Sequence, residues 1–176
     1  MIRQRLISEP KKGSTFEIYF PIIEDKSSEQ TTKTGKTFRK GEEHILFVED
    51  ELPIANLYKE FLNSCGYTVT ISNSGMKAFE IFCDSPNKFD MVITDKGMPG
   101  MDGIQLTQNL LKVRPDLPVI LLTGYGDLIN DDKIRKVGFR DIFTKPADFN
   151  EISNALRHIF DEQIVNQKGG VGVCEL

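Results

Sequence analysis

Residues 43 onward predict an α/β, doubly wound fold with a central five-stranded parallel sheet, and three observations carry that reading. Short apolar runs rich in β-branched residues alternate with stretches of helical period, as in a parallel sheet covered on both faces. Five such βα units fit in about 120 residues, the size of one compact domain. Four of the five runs end in side chains able to do chemistry, as expected where the site of such a sheet lies beyond its carboxyl edge.

The runs span residues 45–48, 67–71, 89–94, 119–122 and 141–144. Between the first two, Ile54, Leu57, Phe61 and Cys65 fall at steps suited to one helix face. Pro53 sits where a first helical turn tolerates it, and Gly66 closes that helix. The stretch 75–84 carries Ala78, Phe79 and Phe82, the stretch 103–113 carries Leu106, Leu110 and Val113, and the last helix carries Phe149, Ile152, Leu156 and Ile159. Only the segment 127–137 is weakly periodic. Right-handed crossovers then leave a single doubly wound domain.

Composition narrows the class further. The 176 residues hold 22 Lys and Arg against 26 Asp and Glu, for a net charge of −4. No apolar stretch approaches the roughly 20 residues needed to cross a bilayer, and the N-terminus leads into no secretory signal, so a soluble, cytoplasmic piece is expected. Cys65, Cys83 and Cys174 form no C-x-x-C pair, which argues against a disulfide framework or a zinc site. Charge is uneven: residues 1–42 are net +3 and residues 43–176 net −7. The acidic balance of the larger part speaks against direct nucleic-acid binding. Residues 24–42 have almost no apolar content and are expected to form a flexible linker, with a disordered tail at 163–176.

The ends of the runs supply Glu49 and Asp50, then Asp95, then Thr123, then Lys145. Three carboxylates brought to one rim repel one another unless a divalent cation neutralises them. Carboxylate and carbonyl oxygens with water suit Mg²⁺. A lysine and a hydroxyl opposite would hold phosphoryl oxygens, and one Asp can be the nucleophile. Taken singly, the same residues read as helix caps, a turn and a solvated lysine. Their recurrence at equivalent places in successive units favours the site. A phosphomonoesterase of the aspartyl-nucleophile type ranks low, because the second Asp it wants two residues later is Gly97 here.

The motifs HILFVEDE, MVITDKGMPGMDG, VILLTGYGD and IFTKPAD resemble those of the receiver domain of two-component response regulators, over residues 43–162. The resemblance implies a flavodoxin-like receiver fold. Asp95 would be the phosphoacceptor, served by a histidine kinase or histidine phosphotransfer protein. Asp50, Asp95 and the Gly97 carbonyl would bind Mg²⁺, with Glu49 assisting. Thr123 would hydrogen-bond the phosphoryl group, Lys145 would pair with it, and the bond before Pro146 would be cis. Phosphorylation would change the face made by the receiver's fourth helix, fifth strand and fifth helix. Three departures stand out. Glu49 replaces the commoner Asp, Ile142 stands where many members have an aromatic switch, and Gly97 with Tyr125 hints at slow phosphate loss. A receiver-like docking module without phosphorylation is the alternative.

Residues 8–23 read as a hairpin, with a turn at 9–13 and Phe16, Ile18 and Phe20 alternating with polar residues. This segment, within the N-terminal unit 1–23, resembles the final hairpin of the ATP-binding domain of sensor histidine kinases. Lys11 stands where that pattern has its first Gly. The resemblance implies the C-terminal piece of a hybrid kinase that cannot by itself bind ATP or autophosphorylate, with dimerisation open through the exposed strand edges. With about 15 residues after the last helix, no output domain is expected to follow. His44 and His158 are expected to be structural or exposed.

Overall fold

The computed structural model describes residues 3–9, 11, 13–19, 41–124 and 136–169. The chain divides into two compact units, Met1–Thr37 and Phe38–Leu176.

In the first unit, β1 (Arg3–Glu9) pairs antiparallel with β2 (Gly13–Tyr19), with Leu6 opposite Phe16 and Arg5 opposite Glu17. The hairpin therefore starts earlier than residue 8, its predicted start. Lys11 in the turn has φ 66° and Gly13 has φ 103°. The left-handed value at Lys11 is the conformation for which glycine is the natural residue, because it has no Cβ to clash. Phe20 lies outside the described residues, as do residues 24–40 of the predicted linker.

The second unit contains β3 (His44–Val48), β4 (Thr68–Ser72), β5 (Met91–Asp95), β6 (Val119–Thr123) and β7 (Asp141–Thr144), all parallel, in the spatial order β4-β3-β5-β6-β7. The five predicted runs thus each form a strand. Helices α1 (Leu52–Ser64), α2 (Gly75–Asp84), α3 (Gly103–Val113) and α4 (Phe149–Gly169) cover the sheet. Because successive strand side chains point to opposite faces, Ile45 and Phe47 of β3 pack with α1 and α4, while Leu46 and Val48 pack with α2 and α3. Strand order reverses between β3 and β5, so the rim between their carboxyl ends is the crevice where such sheets bind ligands.

Helix boundaries follow the chemistry of their ends. Ser74 caps α2 by accepting the Lys77 N–H, and Asp102 caps α3 by accepting the Gln105 N–H. Beyond α1, Gly66 takes φ 100°, with Gly66 N–H donating to the Asn63 carbonyl and Tyr67 N–H to that of Leu62. This paired pattern satisfies the last carbonyls and accounts for the glycine.

Four expectations need correction. The inner face of α1 is Ala55, Tyr58 and Leu62, whereas Leu57 is exposed. The expected stripe was rotated by about one residue, and Ile54, Phe61 and Cys65 pack only at its margin. Val113 at the end of α3 is also exposed. Finally, α4 continues through Gly169, so the tail expected from 163 is helical that far. The expected linker likewise ends sooner: Gly41 is buried, and its N–H donates to the Cys65 carbonyl. Residues 125–135, which include Tyr125 and most of the weakly periodic segment, and residues 170–176 with Cys174 lie outside the described set. No helix among the described residues is long and apolar enough to cross a membrane.

Candidate phosphoacceptor and metal site

The rim brings together the residues read from the strand ends. One carboxylate oxygen each from Glu49, Asp50 and Asp95 lies within 4.8 Å of the others. Glu49 is 1% exposed and Asp95 7%, while Asp50 faces solvent. Opposite them the Lys145 ammonium bridges two acids, at 2.5 Å from Glu49 Oε2 and 2.6 Å from Asp95 Oδ1. Asp95 Oδ2 accepts the Gly97 N–H at 2.6 Å. Glu49 Oε1 accepts a longer bond, 3.4 Å, from Glu51 N–H.

Electrostatics follow from this packing. Burial pushes the Glu49 carboxyl up, and the Lys145 hydrogen bond and charge only partly offset it. Burial alone would pull the Lys145 ammonium down, but hydrogen bonds to Asp95 and Glu49, with their charges, hold it above its usual range. The lysine is therefore cationic across the physiological range and already takes up part of the negative charge.

Thr123, at the end of β6, is fully buried, and its Oγ1 has no hydrogen-bond partner among the described residues. A buried hydroxyl without a partner costs free energy unless a ligand completes it. Its carbonyl accepts the Lys145 N–H at 2.7 Å, which ties the lysine's turn to β6. The Lys145–Pro146 bond is cis.

The donor set fits a hard divalent cation: carboxylate oxygens of Asp50 and Asp95, with Glu49 beside them. Gly97 is exposed, and a Cβ there would stand 3.5 Å from Asp95 Oδ2. The loop bearing it is held by Lys96 N–H to the Leu122 carbonyl and Gly103 N–H to the Lys96 carbonyl.

All the predicted site residues except Tyr125 are thus described at this rim. Ile142 sits half-buried on β7. His44 bonds Thr70 and meets the Phe89 ring edge-on, and exposed His158 is 3.5 Å from Glu162. Two supporting residues escaped the strand-end reading. A Cβ at Gly103 would lie 2.2 Å from the Asp95 carbonyl oxygen, and one at Gly75 would lie 2.3 Å from the Met101 carbonyl oxygen. Both glycines open helices, and that position alone does not reveal the close backbone approach each permits.

A Mg²⁺-compatible acidic rim on this sheet, faced by a lysine and a threonine, defines the receiver class of signalling domain. The family profile for the response regulator receiver domain matches residues 45–157, and the chain belongs to that family, which functions in two-component systems. Among its relatives, sporulation initiation phosphotransferase F of Bacillus subtilis (strain 168) is 32% identical over 115 residues, covering 65% of this chain and 91% of the relative. The sensor kinase CckA of Brucella abortus (strain 2308) is 32% identical over 167 residues, covering 89% of this chain and 17% of the kinase. A crystal structure of a response regulator receiver domain protein from Clostridium thermocellum superposes with a TM-score of 0.66 at 31% identity, covering 70% of this chain and 98% of that one. The chain spans only 17 to 24% of the length of several curated relatives it matches.

Proposed function

We propose that this receiver accepts a phosphoryl group from a phosphohistidine onto Asp95 and thereby switches a protein-interaction face. The observation that carries the reading is the Lys145 ammonium bridging Glu49 and Asp95 beside Asp50, with the Thr123 hydroxyl, which has no partner among the described residues, buried on the same rim. Asp50, Asp95 and the Gly97 carbonyl would hold Mg²⁺, with Glu49 assisting. When bound, the ion would neutralise the charge that builds on the transferring oxygens. In the transfer, the donor P–N bond breaks as a P–O bond to Asp95 forms. Lys145 then exchanges its contact with the Asp95 carboxylate for one with phosphoryl oxygen, and Thr123 donates its free O–H to another. The switch is a shift between two packings, limited by their difference in affinity for the phosphoryl group.

The donors are a histidine kinase or a histidine phosphotransfer protein in the cytoplasm. A hybrid sensor kinase as the parent is favoured by the CckA alignment. Covering 89% of the chain, it cannot fit within residues 43–176 and must extend through the predicted linker toward the hairpin. The left-handed Lys11 at the glycine position of the kinase hairpin pattern supports the same parentage.

The test is incubation with a small acyl-phosphate donor and Mg²⁺, followed by phosphate-affinity electrophoresis or phosphorus NMR. Acid-stable, hydroxylamine-labile phosphate should appear on the chain and be absent in Asp95→Asn. Equal labelling of the two proteins would overturn the assignment.

A further inference from the structure

Behind the acidic rim, four aromatic rings from three elements lie in contact. Tyr58, on the inner face of α1 and 6% exposed, stacks on Phe47 of β3 with centroids 5.0 Å apart and planes at 22°. It meets Phe149, the first residue of α4, edge-on at 5.4 Å and 87°. Phe149 in turn stacks on Phe61 at 4.3 Å and 12°. Stacked and edge-on contacts in series leave these rings little freedom to shift, so the column is a stiff spacer.

Two of its rings lie close in sequence to site residues. Phe47 stands two residues before Glu49, and Phe149 four after Lys145. Tyr58 is therefore wedged between the strand that presents the acids and the turn that presents the lysine. The other end of that turn is fixed by the 2.7 Å bond from Lys145 N–H to the Thr123 carbonyl. Burial pushes the Tyr58 phenol up, and the fields of Lys145, which lowers it, and of Glu49, which raises it, both reach the hydroxyl.

We propose that Tyr58 is a positioning residue for Lys145, its ring setting the separation between β3 and the lysine's turn at which one ammonium bridges Glu49 and Asp95. The functional consequence rests on the phosphoacceptor reading above; the geometric one stands apart from it. Removing the ring lets Phe149 and the turn collapse toward α1 and withdraws the ammonium from one or both acids. A misplacement of about 1 Å at a reacting centre can cost about a hundredfold in rate, and partial withdrawal less.

The first arm of the test needs neither metal nor phosphate. The full chain is acylated with a water-soluble amine-reactive ester, and modification is followed site by site by mass spectrometry, with exposed Lys77 as reference. In the wild-type chain the bridged Lys145 should react more slowly than Lys77. Tyr58→Leu should raise the Lys145 rate about tenfold relative to Lys77, because an amine withdrawn from its two carboxylate partners no longer has its nitrogen enclosed by them and is open to the reagent. Tyr58→Phe, which keeps the ring, should stay within about twofold of wild type. The second arm is a double-mutant cycle. Tyr58→Leu should slow Asp95 phosphorylation about tenfold, but less than twofold in a Lys145→Ala background.

An unchanged Lys145 rate in Tyr58→Leu, a Tyr58→Phe chain as reactive as Tyr58→Leu, or equal slowing in both backgrounds would overturn the proposal. Should Tyr58→Leu fail to fold, Phe149→Leu removes the other side of the wedge at a half-buried position and carries the same expectations and the same refutations. If the wild-type chain takes no phosphate on Asp95, the functional reading falls while the acylation arm still decides the role of Tyr58.

Discussion

Deleting the Lys145 ammonium by Lys145→Ala should have two effects of opposite sign. Glu49, 1% exposed, loses its 2.5 Å partner, and Asp95 loses one at 2.6 Å. Breaking a buried ion pair at one side costs about 3–5 kcal/mol. The Lys145 side chain is 22% exposed, so water fills the gap and about 2 kcal/mol of destabilisation is expected. Cation binding moves the other way. With metal–oxygen distances near 2.1 Å, a dication on carboxylates that also hold the ammonium lies about 5 Å from it. Even at the dielectric of bulk water that repulsion is about 1.7 kcal/mol. Without the lysine, Mg²⁺ should bind roughly tenfold more tightly. The assay is urea unfolding of both proteins followed by circular dichroism across a Mg²⁺ series, since the chain has no Trp. A pH of about 8 keeps the proton on Glu49, whose carboxyl is already pushed up by burial, from competing with the metal. The variant should be less stable without Mg²⁺, and the gap should close as Mg²⁺ is added. Equal or weaker Mg²⁺ affinity in the variant would show that lysine and cation do not share these acids.

Other perturbations probe the scaffold. Gly103→Ala places a Cβ 2.2 Å from the Asp95 carbonyl oxygen; overpacking of this kind costs about 1–3 kcal/mol and should slow Asp95 phosphorylation, both read on the purified variant. Phe82→Ala empties a fully buried site between α2 and the sheet; a loss of about 3–5 kcal/mol in chemical denaturation is expected. Glu43 hydrogen-bonds Arg157 at 2.8 Å. Burial would raise its carboxyl, but the Arg157 bond and charge, with backbone donors, hold it below the ordinary value. A depressed carboxylate contributes stability that is present above the unfolded value of 4.5 and is lost as pH falls through the folded one. Glu43→Gln should therefore cost about 1 kcal/mol at neutral pH and progressively less below pH 4.5, measured by denaturation at both pH values.

The strands and the rim were legible in the sequence because they depend on local pattern. An apolar run buried on both faces can hardly be anything but an interior strand, and its C-terminal neighbour must emerge at the rim. Asp95, Thr123 and Lys145 could therefore be placed before any contact was known. The glycine stop after α1 was legible for the same reason, since it satisfies backbone groups within a few residues.

What depended on distant chain segments was hidden. Stripes through Ile54, Leu57 and Phe61 or through Ala55, Tyr58 and Leu62 fit α1 about equally well by period. The choice falls to the second because α4 returns, some ninety residues later, to pack Phe149 against Tyr58. The bridge from Lys145 to Glu49 spans 96 residues, and no local pattern encodes it. Which residues meet at the rim follows from periodicity, but how the ammonium divides itself between two carboxylates depends on tertiary packing, because that alone sets distance and dielectric.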